Sequence, residues 1–155
     1  MTRYTLLFVT LTLSACLHPS KSRPLPAKSG YSRFDGTEFG WSGRLAGFVI
    51  SPMEHIIVEK EDPIVSRDVR GILRSAGGEW PENIEIVFEI RGPSPKATVR
   101  SVLADPRGRF HVSGVPVGNY VFKATANGWQ SIVGTIVVSK TAKANEVELV
   151  MPLGV

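Results

Sequence analysis

The sequence predicts an all-β fold, a seven-stranded antiparallel β-sandwich reached through a disordered N-terminal leader and tether. Three observations carry this reading. Apolar and polar residues alternate with a period of two in most stretches after Ile64, the spacing of half-buried strands. Gly, Pro and Asn signals bound each stretch. No sustained helical period interrupts them, and about 90 residues of short strands form a stable core only as two facing sheets.

The stretch Asp105–Tyr120 is the most informative. Asp105 can bond its own backbone, Pro106 presets φ, and Gly108 tolerates left-handed geometry, so Asp-Pro-Arg-Gly predicts a tight turn. Phe110 and Val112 then face inward, with His111 and Ser113 outward. Pro116-Val117-Gly118-Asn119 predicts a second turn before a strand opened by Tyr120.

Upstream, Val69, Gly71 and Leu73 alternate with Arg70, Ile72 and Arg74. After the Ser75–Asn83 loop, Ile84, Ile86, Phe88 and Ile90 face one way, and Glu85, Val87 and Glu89 the other. Gly92-Pro93-Ser94-Pro95 breaks the chain before a strand within Ala97–Ala104. Tyr120, Phe122, Ala124 and Ala126 give an apolar face with Lys123 and Thr125 outward. Asn127-Gly128 predicts a hairpin turn. Gln130–Val138 reads as a strand covered on both sides. Val147, Leu149 and Met151 close the series.

Before Ile64 the pattern weakens. Leu45–Ile50 reads as a strand. Ser51-Pro52-Met53-Glu54 has a capping-box pattern, but the β-branched Ile56-Ile57-Val58 favours a strand. Glu59, Glu61 and Asp62 match no cation-loop spacing and read as a solvated turn. Residues 16–43, rich in Pro, Ser, Lys and Gly, read as a linker. Its part from His18 to Gly43, as a coil of about 26 residues, would span near 30 Å. Tyr31, Phe34, Phe39 and Trp41 are too many aromatics for pure disorder, so this half is expected to dock on the domain.

Composition is that of a globular protein, 43% hydrophobic and 21% charged, with a net charge of +4 spread along the chain. Arg3 followed by the apolar run Thr5–Leu13 is too short to span a bilayer, which takes about 20 residues, and reads as a secretory signal. Its end, Leu13-Ser14-Ala15-Cys16, resembles a bacterial lipobox. That resemblance implies cleavage after residue 15, lipidation of Cys16 and a membrane anchor, with Leu17 favouring the outer membrane. Cys16 is the sole cysteine, so no intramolecular disulfide can form.

Val69-x-Gly71, Gly77-Gly78, Ile86-x-Phe88, Asp105-x-x-Gly108-x-Phe110, Val115-Pro116-x-Gly118-x-Tyr120, Ala126-x-Gly128-Trp129 and Val147-x-Leu149 together resemble a carboxypeptidase regulatory-like domain. The likeness spans residues 65–155, leaving 44–64 as an N-terminal extension of a strand or two. It implies a transthyretin-like, Ig-like sandwich that supports folding, spacing or contact. The loop Gly77-Gly78-Glu79-Trp80-Pro81-Glu82-Asn83 departs from the family's usual shorter turn.

No catalytic or metal site is expected. His18, His55 and His111 form no zinc motif, no nucleophile elbow or phosphate loop occurs, and no cofactor is implied. The binding candidates are Trp80 and Trp129, whose indoles can stack on sugars. The arginines are not interleaved with aromatics, so nucleic acid is not expected as a partner. The expected function is a non-catalytic envelope lipoprotein whose sandwich is a structural or protein-interaction module. The alternative is a carbohydrate- or peptidoglycan-binding module.

Overall fold

The computed structural model describes residues 30–35, 43–94 and 96–154. Their regular structure is all strand. The elements are β1 (Ser32–Arg33), β2 (Val49–Ile50), β3 (Ile57–Glu59), β4 (Ile64–Ser66), β5 (Val69–Ser75), β6 (Ile86–Arg91), β7 (Arg100–Leu103), β8 (Arg109–Val112), β9 (Gly118–Ala126), β10 (Ser131–Val138) and β11 (Val147–Met151). Eleven strands occur among the described residues. Seven lie from Val69 on; of the four that precede it, β2 lies within Leu45–Ile50 and β3 overlaps Ile56–Val58, the stretches that read as strands, and β1 and β4 are not expected from the sequence.

Two sheets share the main interior. The larger runs β3-β10-β9-β6-β7, with β4 also on β10, and the smaller runs β11-β5-β8. Phe88 of the larger sheet stacks on Phe110 of the smaller at 3.9 Å and lies 5.8 Å from Phe122. Val69, Leu73, Leu149 and Met151 meet Ile86, Ile90, Ala124 and Ile136 in the same buried cluster. Residues that alternate inward on each strand thus fill one apolar layer, as the period of two requires.

The pairing is not wholly antiparallel as expected. β11 runs parallel to β5, and β3 and β4 both run parallel to β10. These are edge contacts between segments distant in sequence, which local patterning cannot specify. β3 and β4 act as one interrupted edge strand. The register shifts by two residues between them, and the excess is taken up by the exposed Glu61 and Asp62 before Pro63. Gly71 lets β11 approach: a Cβ there would lie 1.9 Å from the Val147 carbonyl oxygen.

The larger correction concerns the outer face of the larger sheet, expected to be solvated. All six residues of β6 are buried. So are Lys123 and Thr125, both expected outward. The cover is the N-terminal segment. Phe34, Leu45 and Phe48 pack with Val133 in a second buried cluster, edged by Ile50, Ile57, Val99 and Val121. β1 pairs with β2 across this layer. Tyr31 and Phe34 dock as expected, while Phe39 and Trp41 lie outside the described residues. At Ser51–Glu54 one of the two capping-box bonds forms, Ser51 N–H donating to Glu54 Oε2 at 3.0 Å, while Ser51 Oγ accepts from the Met53 amide at 3.3 Å and the Glu54 amide donates to the Ser51 carbonyl at 3.0 Å. They close a single turn, not a helix, because the β-branched residues that follow enter β3.

Candidate functional site

The sites named from the sequence separate into three cases. Cys16 lies outside the described residues. Trp80 and Trp129 are brought together at one end of the sandwich, ring centroids 5.0 Å apart and tilted by 54°. The indole N–H of Trp129, which is buried, donates to Ser75 Oγ at 3.0 Å. Trp80 is half-buried, and its N–H donates to the Leu73 carbonyl at 2.8 Å. It fits beneath Gly108, where an added Cβ would stand 2.9 Å from its Nε1. Both indole donors therefore bond to the protein itself, leaving only part of the Trp80 ring for a ligand.

That part borders a shallow groove of about 570 Å³ whose walls include Trp80, Arg74, Arg107, Glu79, Ser75 and Pro106. The Asp105 turn builds one wall. Its Oδ1 accepts from the Arg107 and Arg109 amides at 2.9 and 2.8 Å, and Gly108 adopts φ +79°. The turn forms as its residue types require. Arg74, which lines the same groove, is held by Glu148. An aromatic edge sharing a groove with two guanidinium groups suits a polar ring bearing acceptor groups. His111 is exposed on β8, and His55 is exposed after the Ser51–Glu54 turn. Glu59 pairs with Arg44, and no cluster of three metal-ligating side chains occurs among the described residues.

The polar cluster that sequence reasoning missed lies on the outer face of the larger sheet. Glu89 of β6 stands directly opposite Lys123 of β9, and both are fully buried. Lys123 Nζ donates to the Val49 carbonyl at 2.5 Å, Thr125 Oγ1 at 2.7 Å, Glu54 Oε2 at 2.8 Å and, more weakly, Ser131 Oγ at 3.3 Å. Glu89 accepts from the Val49 amide at 2.6 Å, Ser101 Oγ at 2.6 Å and Arg33 at 3.3 Å. Arg91, on the same strand, donates to the carbonyls of Arg44 and Ala46 and lies 5.2 Å from the Phe48 ring centroid. Every one of these residues either belongs to the N-terminal layer or bonds across to it or to a neighbour that does. Their chemistry is that of a fastening. The sequence signal was indirect: Leu45–Ile50 and the aromatics before it need an apolar surface to cover, and only the outer sheet face offers one.

No protein-family model matches the chain. No curated protein matches it either. The geometry and the residues therefore carry the functional argument.

Burial raises the Glu89 carboxyl above its ordinary value of 4.5, against the hydrogen bonds from Ser101 and Val49 and the charges of Lys123 and Arg33. Burial likewise lowers the Lys123 ammonium, opposed chiefly by Glu54. A carboxyl whose folded pKa is raised stabilises the fold below the unfolded value, and that contribution is lost as pH rises through the folded value. The unfolding free energy of the native chain, taken relative to Glu89→Gln, is expected to fall as pH rises from 4.5 towards neutrality. Urea titrations of both chains across that range measure it, and a flat or rising difference contradicts the assignment.

Proposed function

We propose that this chain is a non-catalytic lipoprotein of a bacterial envelope, anchored through an acylated Cys16 and carrying a β-sandwich of the carboxypeptidase regulatory-like, transthyretin-like kind. The sandwich serves as a structural or protein-interaction module at the membrane surface, and the outer membrane is the proposed address. The observation that carries this reading is the use made of the buried charges. Lys123, Glu89 and Arg91 grip the N-terminal layer, so the folded body is tied firmly to the segment leading back to Cys16. Such a body is positioned by its anchor. Only 13 residues lie between Cys16 and Gly30, a reach of at most about 50 Å when fully extended.

Two motif residues support the reading. Tyr120 Oη donates to the Pro116 carbonyl at 2.9 Å, closing the Pro116–Gly118 turn onto the strand it opens. Phe110, two residues after Gly108, enters the shared core.

Replacing Cys16 by Ser is expected to move the protein from the membrane to the soluble fraction and to remove acyl mass from the mature chain. Fractionation with intact mass spectrometry reads both. Retention of the Ser variant on membranes contradicts the anchor.

The groove beside Trp80 favours a second reading, a carbohydrate- or peptidoglycan-binding module in which Trp80, backed by Trp129, offers a stacking edge and Arg74 and Arg107 offer donors. Arg107→Ala removes a donor without disturbing the core and is expected to weaken retention on peptidoglycan at least threefold in a pull-down, with Trp80→Ala weakening it further. Undiminished retention by both variants contradicts this reading.

A further inference from the structure

We propose that the end of the sandwich where the N-terminal segment joins it rests on a lipid surface through Met53, Ile56 and Leu153, an inference that builds on the Cys16 anchor. Several chain ends meet there. β9 finishes at Ala126 and β10 begins at Ser131, β6 starts opposite Ala126, and β5 and β11 finish side by side at Ser75 and Met151.

The first described residues lie at this same end. A Cβ on Gly30 would stand 3.3 Å from the Pro52 ring. Tyr31 Oη donates to the Glu85 carbonyl at 2.7 Å and accepts from the Asn127 amide at 3.0 Å. Gly30 and Tyr31, the described residues nearest Cys16 in sequence, are therefore fixed beside the Ser51–Ile56 loop.

That loop and its neighbour expose apolar side chains. Met53 is 56% exposed, Ile56 44% and Leu153 50%. Met53 and Ile56 border one small hollow with Trp129 and Gly154, and Leu153 pairs through its backbone with Trp129. Scattered exposed hydrophobics need no explanation, but a group gathered at one spot does.

Charge selects the kind of surface. Glu79, Glu82 and Asp105 stand exposed on loops at this end, against Arg107 and Arg74. Lys96, Lys140, Lys143 and Arg67 lie on loops at the opposite end. The apolar end thus suits a zwitterionic lipid surface and gains nothing from an anionic one.

The test uses the full, acylated protein in phosphatidylethanolamine–phosphatidylcholine vesicles. An environment-sensitive fluorophore is placed at Met53→Cys, Ile56→Cys or Leu153→Cys, with Val117→Cys, 58% exposed at the far end, as the control. Emission at the first three positions is expected to shift to the blue and to be quenched by brominated lipid, while that at position 117 is unchanged. Emission at positions 53, 56 and 153 that matches position 117 overturns the docking and leaves the anchor standing. Intact mass of the same preparation reads the acyl groups, and a Cys16 without them overturns both. Blue shifts that appear without vesicles and scale with protein concentration identify a second copy as the occupant and also overturn the proposal.

Discussion

The contact on which the structure depends is the buried pair formed by Lys123 and Glu54, with Glu89 directly across the sheet from Lys123. Removing charges from water costs several kcal/mol per ion, and a buried pair recovers this only with good geometry and further hydrogen bonds. Here Lys123 gains further bonds to the Val49 carbonyl, Thr125 and Ser131, Glu54 Oε2 gains one from the Ser51 amide while its buried Oε1 has no partner among the described residues, and Glu89 gains bonds from the Val49 amide and Ser101. Val49 serves both groups, its carbonyl accepting from the cation and its amide donating to the anion. Shifting the N-terminal segment by one residue would break both bonds and leave two buried charges short of partners. The network therefore sets the register of the segment on the sheet, while Phe34, Leu45 and Phe48 supply the apolar burial that holds it there.

This arrangement turns a two-layer sandwich into three layers, with the larger sheet covered on both faces. Its middle strands accordingly read differently from the others. β8 and β11 alternate buried and exposed residues strictly, and β6 is buried throughout. For the proposed function what matters is position: the N-terminal segment grips the body and enters it at one end, beside Pro52, Glu85 and Asn127.

Much of the fold was legible in the sequence because it is written locally. The Asp105 turn, the inward Phe110 and Val112 and the alternation of Val147, Leu149 and Met151 follow from residue types within a few positions. What escaped depends on distant segments. Alternation shows which face of a strand must be buried and is silent on whether the other face is covered, so Lys123 and Thr125 read as outward. The parallel edges of β3, β4 and β11 are likewise long-range choices. At the candidate site, indole chemistry made Trp80 and Trp129 look available to a sugar. Their N–H groups instead meet Leu73 and Ser75, acceptors that come close only in the folded chain, and Trp80 keeps one edge on the groove.

The most direct measurement of the central claim is the unfolding free energy of Lys123→Met beside that of Lys123→Met combined with Glu54→Leu. The account predicts a loss of about 3–5 kcal/mol for the single change, as for a buried pair deprived of one partner, and recovery of most of that loss in the double variant. A single change within about 0.5 kcal/mol of the native chain, the behaviour of a solvated surface lysine, would contradict it.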